Sequence, residues 1–86
     1  MTHAGWLGLR ELDQRHHVPK GTSFRAFKQA EPGLAEGRDF CVLRPDADAA
    51  AIEDLRRSGR IYASSVNVVL IAPAAAAQLR IASGKP

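Results

Sequence analysis

Eighty-six residues with a formal charge of +3 allow one domain, because a typical domain takes about 100 to 200 residues and a division would leave neither part a core. Fifteen of the apolar residues are alanine and only 20 are Leu, Ile, Val or Phe, so the core is thin and nucleic acid or a second protomer is expected to complete the fold. No run approaches the roughly 18 apolar residues of a membrane span, the N-terminus lacks a secretory pattern, and one cysteine makes no internal disulfide; a soluble, cytoplasmic binding module is expected rather than an enzyme with a small-molecule substrate.

Trp6, Leu9 and Leu12 recur at a spacing of three in the stretch to His16, which predicts a first helix. It should stop near His17, because Pro19 disfavours the helical conformation at Val18 and has no N–H to donate. Pro19-Lys20-Gly21-Thr22 reads as a tight turn, with Thr22 or Ser23 as the cap of a second helix running to about Ala30. At 100° per residue, Phe24, Phe27 and Ala30 fall on its inner side and Thr22, Arg25, Lys28 and Gln29 on its outer side. Glu31-Pro32-Gly33 ends it, and Leu34 to Gly37 is a loop or a single turn. Residues 38–44, closed by Pro45, read as a strand.

Residues 46–57 read as a third helix, with Asp46 or Asp48 as N-cap, Ile52 and Leu55 as anchors, Arg56 and Arg57 in the last turn and Gly59 beyond. Residues 60–64 and 66–71 are strand candidates, as one bent strand or two, and a helix capped by Ser65 over 66–72 is the alternative. Pro73 suits the first turn of a last helix, 74–81, which leaves 83–86 frayed. The whole is an α+β domain with an ordered core over about 5–82.

Charge is segregated along this frame. Residues 1–30 carry five basic groups against two acids, residues 31–54 carry seven acids against Arg38 and Arg44, and residues 55–86 hold Arg56, Arg57, Arg60, Arg80 and Lys85 with no acid. If the outer blocks share a side, they make a positive face suited to a polyanion. Two helices joined by a tight turn over 6–30, the second amphipathic with a basic and amide-bearing outer face, have the form of a helix-turn-helix. Phe24 and Phe27 would pin helix 2 on helix 1, leaving its outer face for a major groove about 12 Å wide. Arg25 then suits a guanine edge and Gln29 an adenine edge, while Lys20, Lys28 and the N–H groups near Thr22 and Ser23 suit phosphates.

The run Leu9-Arg-Glu-Leu12, then His17-Val18, then Thr22-Ser-Phe-Arg25-Ala-Phe27 resembles the opening of small winged-helix proteins of the phage excisionase and MerR-type regulator group. The resemblance implies a winged-helix-like domain: a helix-turn-helix over 6–30, then a short β-sheet with an inserted helix and a C-terminal helix. It also implies a non-enzymatic protein that binds double-stranded DNA, as a transcription regulator or a mobile-element factor, often as a dimer. Ser23 stands as one extra residue between Thr22 and Phe24 relative to the group's pattern. The third helix separates the strands where the group has a tight hairpin wing.

Arg56, Arg57, Arg60 and Tyr62 are candidates for wing contacts to phosphate or sugar, and the arginines equally suit the end of a helix dipole. His16 and His17 are adjacent and point about 100° apart, so no metal site is expected, and no cofactor. Cys41 lies between Phe40 and Val42 and reads as an inert thiol. The competing reading is a protein-interaction module, such as an inhibitor or antitoxin, that acts through the acidic block 46–54 or the strand 66–71. An exposed strand edge at 66–71 suggests a homodimer.

Overall fold

A computed structural model describes residues 5–63 and 67–81 of the chain. The elements run β1 (Leu7–Gly8), α1 (Leu9–His16), α2 (Thr22–Ala30), a 3-10 turn (Glu31–Gly33), β2 (Phe40–Leu43), α3 (Ala49–Arg57), β3 (Val68–Ile71) and α4 (Pro73–Ala76). The three strands form an antiparallel sheet in the order β1-β3-β2. The α+β class is as expected. The readings for Ser64, Ser65, Val66 and the end 83–86 lie outside the described residues.

Side-chain alternation along the strands sorts the core into two layers. Phe40, Val42, Val69 and Ile71 join Leu12, Phe27, Ala75, Ala76 and Leu79 on one face of the sheet. Cys41, Leu43, Val68 and Leu70 join Ile52, Leu55, Ile61 and Trp6 on the other. The helix pair α1–α2 and α4 therefore cover one face, and α3 covers the opposite one.

Several boundaries differ from expectation, each for a local reason. Helix α1 begins at Leu9 rather than Trp6, because Leu7 and Gly8 pair with Ile71 and Leu70. Trp6 matches the helical spacing yet packs with the α3 layer. Gly8 is held where a Cβ would stand 2.8 Å from the Arg60 carbonyl oxygen, so the chain is too close there for any side chain. Its N–H donates to the Glu11 carboxylate at 2.8 Å, which starts the helix. The stretch 61–63 is not a strand. Its Ile61 is buried with the α3 layer, and its Tyr62 is drawn to α1 by a bond to Asp13. β3 is the central strand: β2 pairs with it from Val68 to Ile71, and the two-residue β1 covers its other edge only at Leu70 and Ile71, so of the edge expected at 66–71 the stretch Val68–Val69 has no strand neighbour on the β1 side. The last helix is one turn, Pro73–Ala76, and Leu79 is buried from the turns that follow.

At the end of α1, His17 takes φ 57°, a left-handed conformation that costs a residue with a Cβ about 1–2 kcal/mol. It is held because the Val18 N–H donates to the Asp13 carbonyl at 3.0 Å and the His17 N–H to that of Gln14 at 3.3 Å. His17 is exposed, so His17→Gly removes strain without removing packing. It is expected to add roughly 0.5 to 1 kcal/mol after glycine's extra unfolded-state entropy is set against the gain. A thermal melt should rise by a few degrees; an unchanged or lower midpoint would contradict this account of the turn.

Candidate nucleic-acid interface

The joint between α1 and α2 is built around one carboxylate. Asp13 is only 2% exposed, and it accepts from the Ser23 N–H at 2.8 Å, the Gly21 N–H at 3.1 Å and the Tyr62 hydroxyl at 2.6 Å. Gly21, at φ 94°, holds the cap position of α2 and has no side chain to cap with. Asp13 supplies the cap from the preceding helix. Burial pulls its pKa upward, but the Tyr62 hydroxyl, the Ser23 hydroxyl and the two backbone N–H groups together outweigh that and leave it below the usual carboxylate value. Burial, then donation to Asp13, pushes Tyr62 up to about 12, so this hydroxyl keeps its proton and stays a donor.

Two expectations about this turn are corrected. Neither Thr22 nor Ser23 is the cap: Ser23 is 0% exposed and packed into the joint, so its side chain has no access to a phosphate. The N–H groups at the start of α2 are also committed, those of Gly21 and Ser23 to Asp13 and that of Thr22 to the Pro19 carbonyl at 3.2 Å. Because the tight joint takes the small Ser23, the inner row of α2 is Ser23, Phe27 and the half-buried Ala30, and Phe24 is turned out with 46% of its surface exposed. Phe27 packs as expected, its ring 5.0 Å from that of Phe40.

The outer face of α2 therefore carries Phe24, Lys28, Arg25 and Gln29. All four are exposed. Arg25 donates to the Thr22 hydroxyl at 3.4 Å, and Lys28 lies 2.7 Å from Glu31 in an exposed ion pair. Lys20, in the turn before α2, stacks over the Tyr62 ring with Nζ 4.9 Å from its centre. Arg10, which sequence reasoning passed over, approaches the same ring at 5.8 Å and donates to the Gly59 carbonyl at 2.6 Å. Between the start of α2 and β3 lies an open cleft of about 250 Å³ whose walls include Phe24, Arg10, Lys20, Ile61, Tyr62 and Val69. Its volume falls below the roughly 300–1,000 Å³ of ordinary ligand pockets.

The second basic cluster does not join this face. Arg56 pairs with Glu53 at 3.1 Å and donates to the Ala63 carbonyl at 3.2 Å, and exposed Arg57 lies 3.5 Å from Asp54. Both belong to α3, on the opposite side of the sheet from α2. Arg60 is turned inward, bonded to Glu11 at 3.2 Å and to the Trp6 carbonyl, where it ties the 59–62 segment to the start of α1. Tyr62 is half-buried and spends its hydroxyl on Asp13. Asp48 stands at the N-cap position of α3, but its carboxylate accepts from the Arg44 N–H at 3.0 Å instead.

Cys41 is half-buried, and burial raises its thiol above the usual value. Among the described residues no three His, Cys, Asp or Glu side chains group to hold a metal, and no helix is long and apolar enough to cross a membrane. Comparison of the chain with protein-family models, with curated proteins and with solved structures finds no match.

Proposed function

We propose that this chain is a sequence-specific double-stranded DNA-binding protein of the winged-helix kind its first 30 residues resemble, a transcription regulator or an accessory factor of a phage or other mobile element. The observation that carries this reading is the outer face of α2, where Arg25, Lys28 and Gln29 stand outward while Ser23 and Phe27 lock the opposite face into the fold. A helix presented this way fits the major groove, with Arg25 suited to a guanine edge, Gln29 to an adenine edge and Lys28 and Lys20 to phosphates. The Lys28–Glu31 pair is exposed and worth at most about 1 kcal/mol, so trading Glu31 for a phosphate costs little.

The order of elements supports the same reading. β2 and β3 follow α2 as an antiparallel pair, which is where the resembling group has its wing, and here the connection between them carries α3. The alternative, a protein-interaction module, draws less support: α3, which carries Glu53 and Asp54, offers no exposed large apolar side chain among the described residues, and both faces of β3 are covered by the two layers of the core. A homodimer built by strand pairing would use the outer edge of β1 or β2, or the Val68–Val69 stretch of β3 that β1 leaves unpaired.

Fluorescence anisotropy with a labelled random-sequence duplex, taken through a salt series, tests the proposal. Wild type should bind in the micromolar range and weaken steeply with salt. The double variant Arg25→Ala, Lys28→Ala should bind more weakly, with the log–log salt slope shallower by about one unit for each phosphate that is no longer neutralised. A folded wild-type protein that ignores duplex DNA at low salt ends the reading. Retained binding by the double variant would remove α2 as the contact surface.

A further inference from the structure

We infer that Phe24 reads the 5-methyl group of a thymine in the major groove, an inference that rests on the DNA-binding reading above. Three observations lead to it. Phe24 is the one large apolar side chain exposed among the described residues, at 46%. It lies in the first turn of α2, the part of a recognition helix that comes nearest the base edges. And it shares the outer side of that helix with Arg25, Lys28 and Gln29, one turn before Lys28 and next to Arg25. Its exposure is not slack in the core: Ser23 fills the inward position that an apolar residue would otherwise take, so the ring is held outward by the joint itself.

A phenyl ring neither donates nor accepts a conventional hydrogen bond, so the donor and acceptor patterns of guanine, cytosine and adenine offer it nothing. Of the four bases only thymine presents an apolar group in the major groove. Consecutive residues rise 1.5 Å along a helix, and base pairs are about 3.4 Å apart. The thymine therefore lies within one or two base pairs of the one Arg25 meets. The chemistry assigned to α2 becomes mixed: Arg25 and Gln29 read hydrogen-bonding edges, and Phe24 reads a methyl beside them.

The test begins with selection of binding sites from a randomised duplex library by the full chain. In the recovered site each thymine is then replaced, one at a time, by deoxyuridine, which keeps base pairing and removes only the methyl. Wild type, Phe24→Ala and Phe24→Leu are titrated against each duplex, with circular dichroism confirming that the exposed substitutions leave the fold intact. One replacement should weaken wild type roughly 4-fold, the equivalent of unburying one methyl group. Phe24→Ala should bind the thymine and uracil duplexes equally, and Phe24→Leu should keep part of the difference. If no thymine methyl matters to wild type, or if Phe24→Ala discriminates as wild type does, the assignment is overturned while the DNA reading stands. If folded wild type selects no duplex at all, the DNA reading and this inference fall together.

Discussion

Replacing Asp13 with alanine is expected to destabilise the fold by about 3 to 5 kcal/mol. The side chain is 2% exposed, and its loss strands the Gly21 N–H, the Ser23 N–H and the Tyr62 hydroxyl at once. Each hydrogen bond to a charged group is worth about 1.5–3 kcal/mol. Domains have only about 5–15 kcal/mol in hand, so Asp13→Ala should leave a largely unfolded protein at physiological temperature. Asp13→Asn keeps one acceptor oxygen and should cost about 2 kcal/mol. The pH dependence separates a charge effect from a packing effect. Because the folded pKa lies below the ordinary value of 3.8, the ionised group's contribution is complete above that value and is lost as pH falls through the folded pKa. Acid titration of Asp13→Asn should lack that component. A wild-type melt for Asp13→Ala would show that the carboxylate does not hold the joint.

The second large effect is expected at Phe27. Its ring is 2% exposed, packs edge-on to Phe40 at 73° and shares a cluster with Leu12 and Ile71, so it joins α1, α2 and the sheet. Phe27→Ala should cost about 3 to 5 kcal/mol, by lost transfer energy and by the cavity left behind. Phe27→Leu, closer in volume, should cost about half of that or less. Urea unfolding reads both as a lower midpoint with an unchanged slope. A midpoint near that of wild type would mean that the packing of α2 against the sheet is misassigned. The neighbouring Phe24, by contrast, should tolerate alanine with little change in stability.

That contrast also marks how far the sequence could be read. Helix α2, helix α3 and the strands at 40–43 and 68–71 carry strong local signals: periodic apolar residues, Pro and Gly punctuation, and β-branched runs. The facing of α2 was legible only to within one residue. Apolarity nominates Phe24 for the core, but the joint has room for a serine, and that limit comes from Asp13 and the turn rather than from α2 itself. β1 gives no signal, since two residues with a glycine cannot alternate. It is a strand only because β3 lies beside it. The roles of Arg60 and Tyr62 were hidden for the same reason: their partners Glu11 and Asp13 stand in α1, and no local spacing links them. The outward placing of Arg25, Lys28 and Gln29 was readable because helical periodicity alone sets their side of α2.

The position of β3 has a consequence for how the protein comes into being. The strand that divides the two layers, with Ile71 pairing Leu7 on one side and Phe40 on the other, is the last of the three strands in chain order. On the ribosome, the helix pair and β2 emerge before β3, so the sheet against which the apolar face of the pair closes is incomplete until β3 has cleared the exit tunnel. Pairing across such a separation is slow to find, and surface exposed in the interval is open to proteases and to association with other nascent chains. The layer that holds α1 and α2 is thus sealed only once β3 has been made, so a ribosome that stops short of Val68 releases a chain without the central strand on which both layers of the core are built.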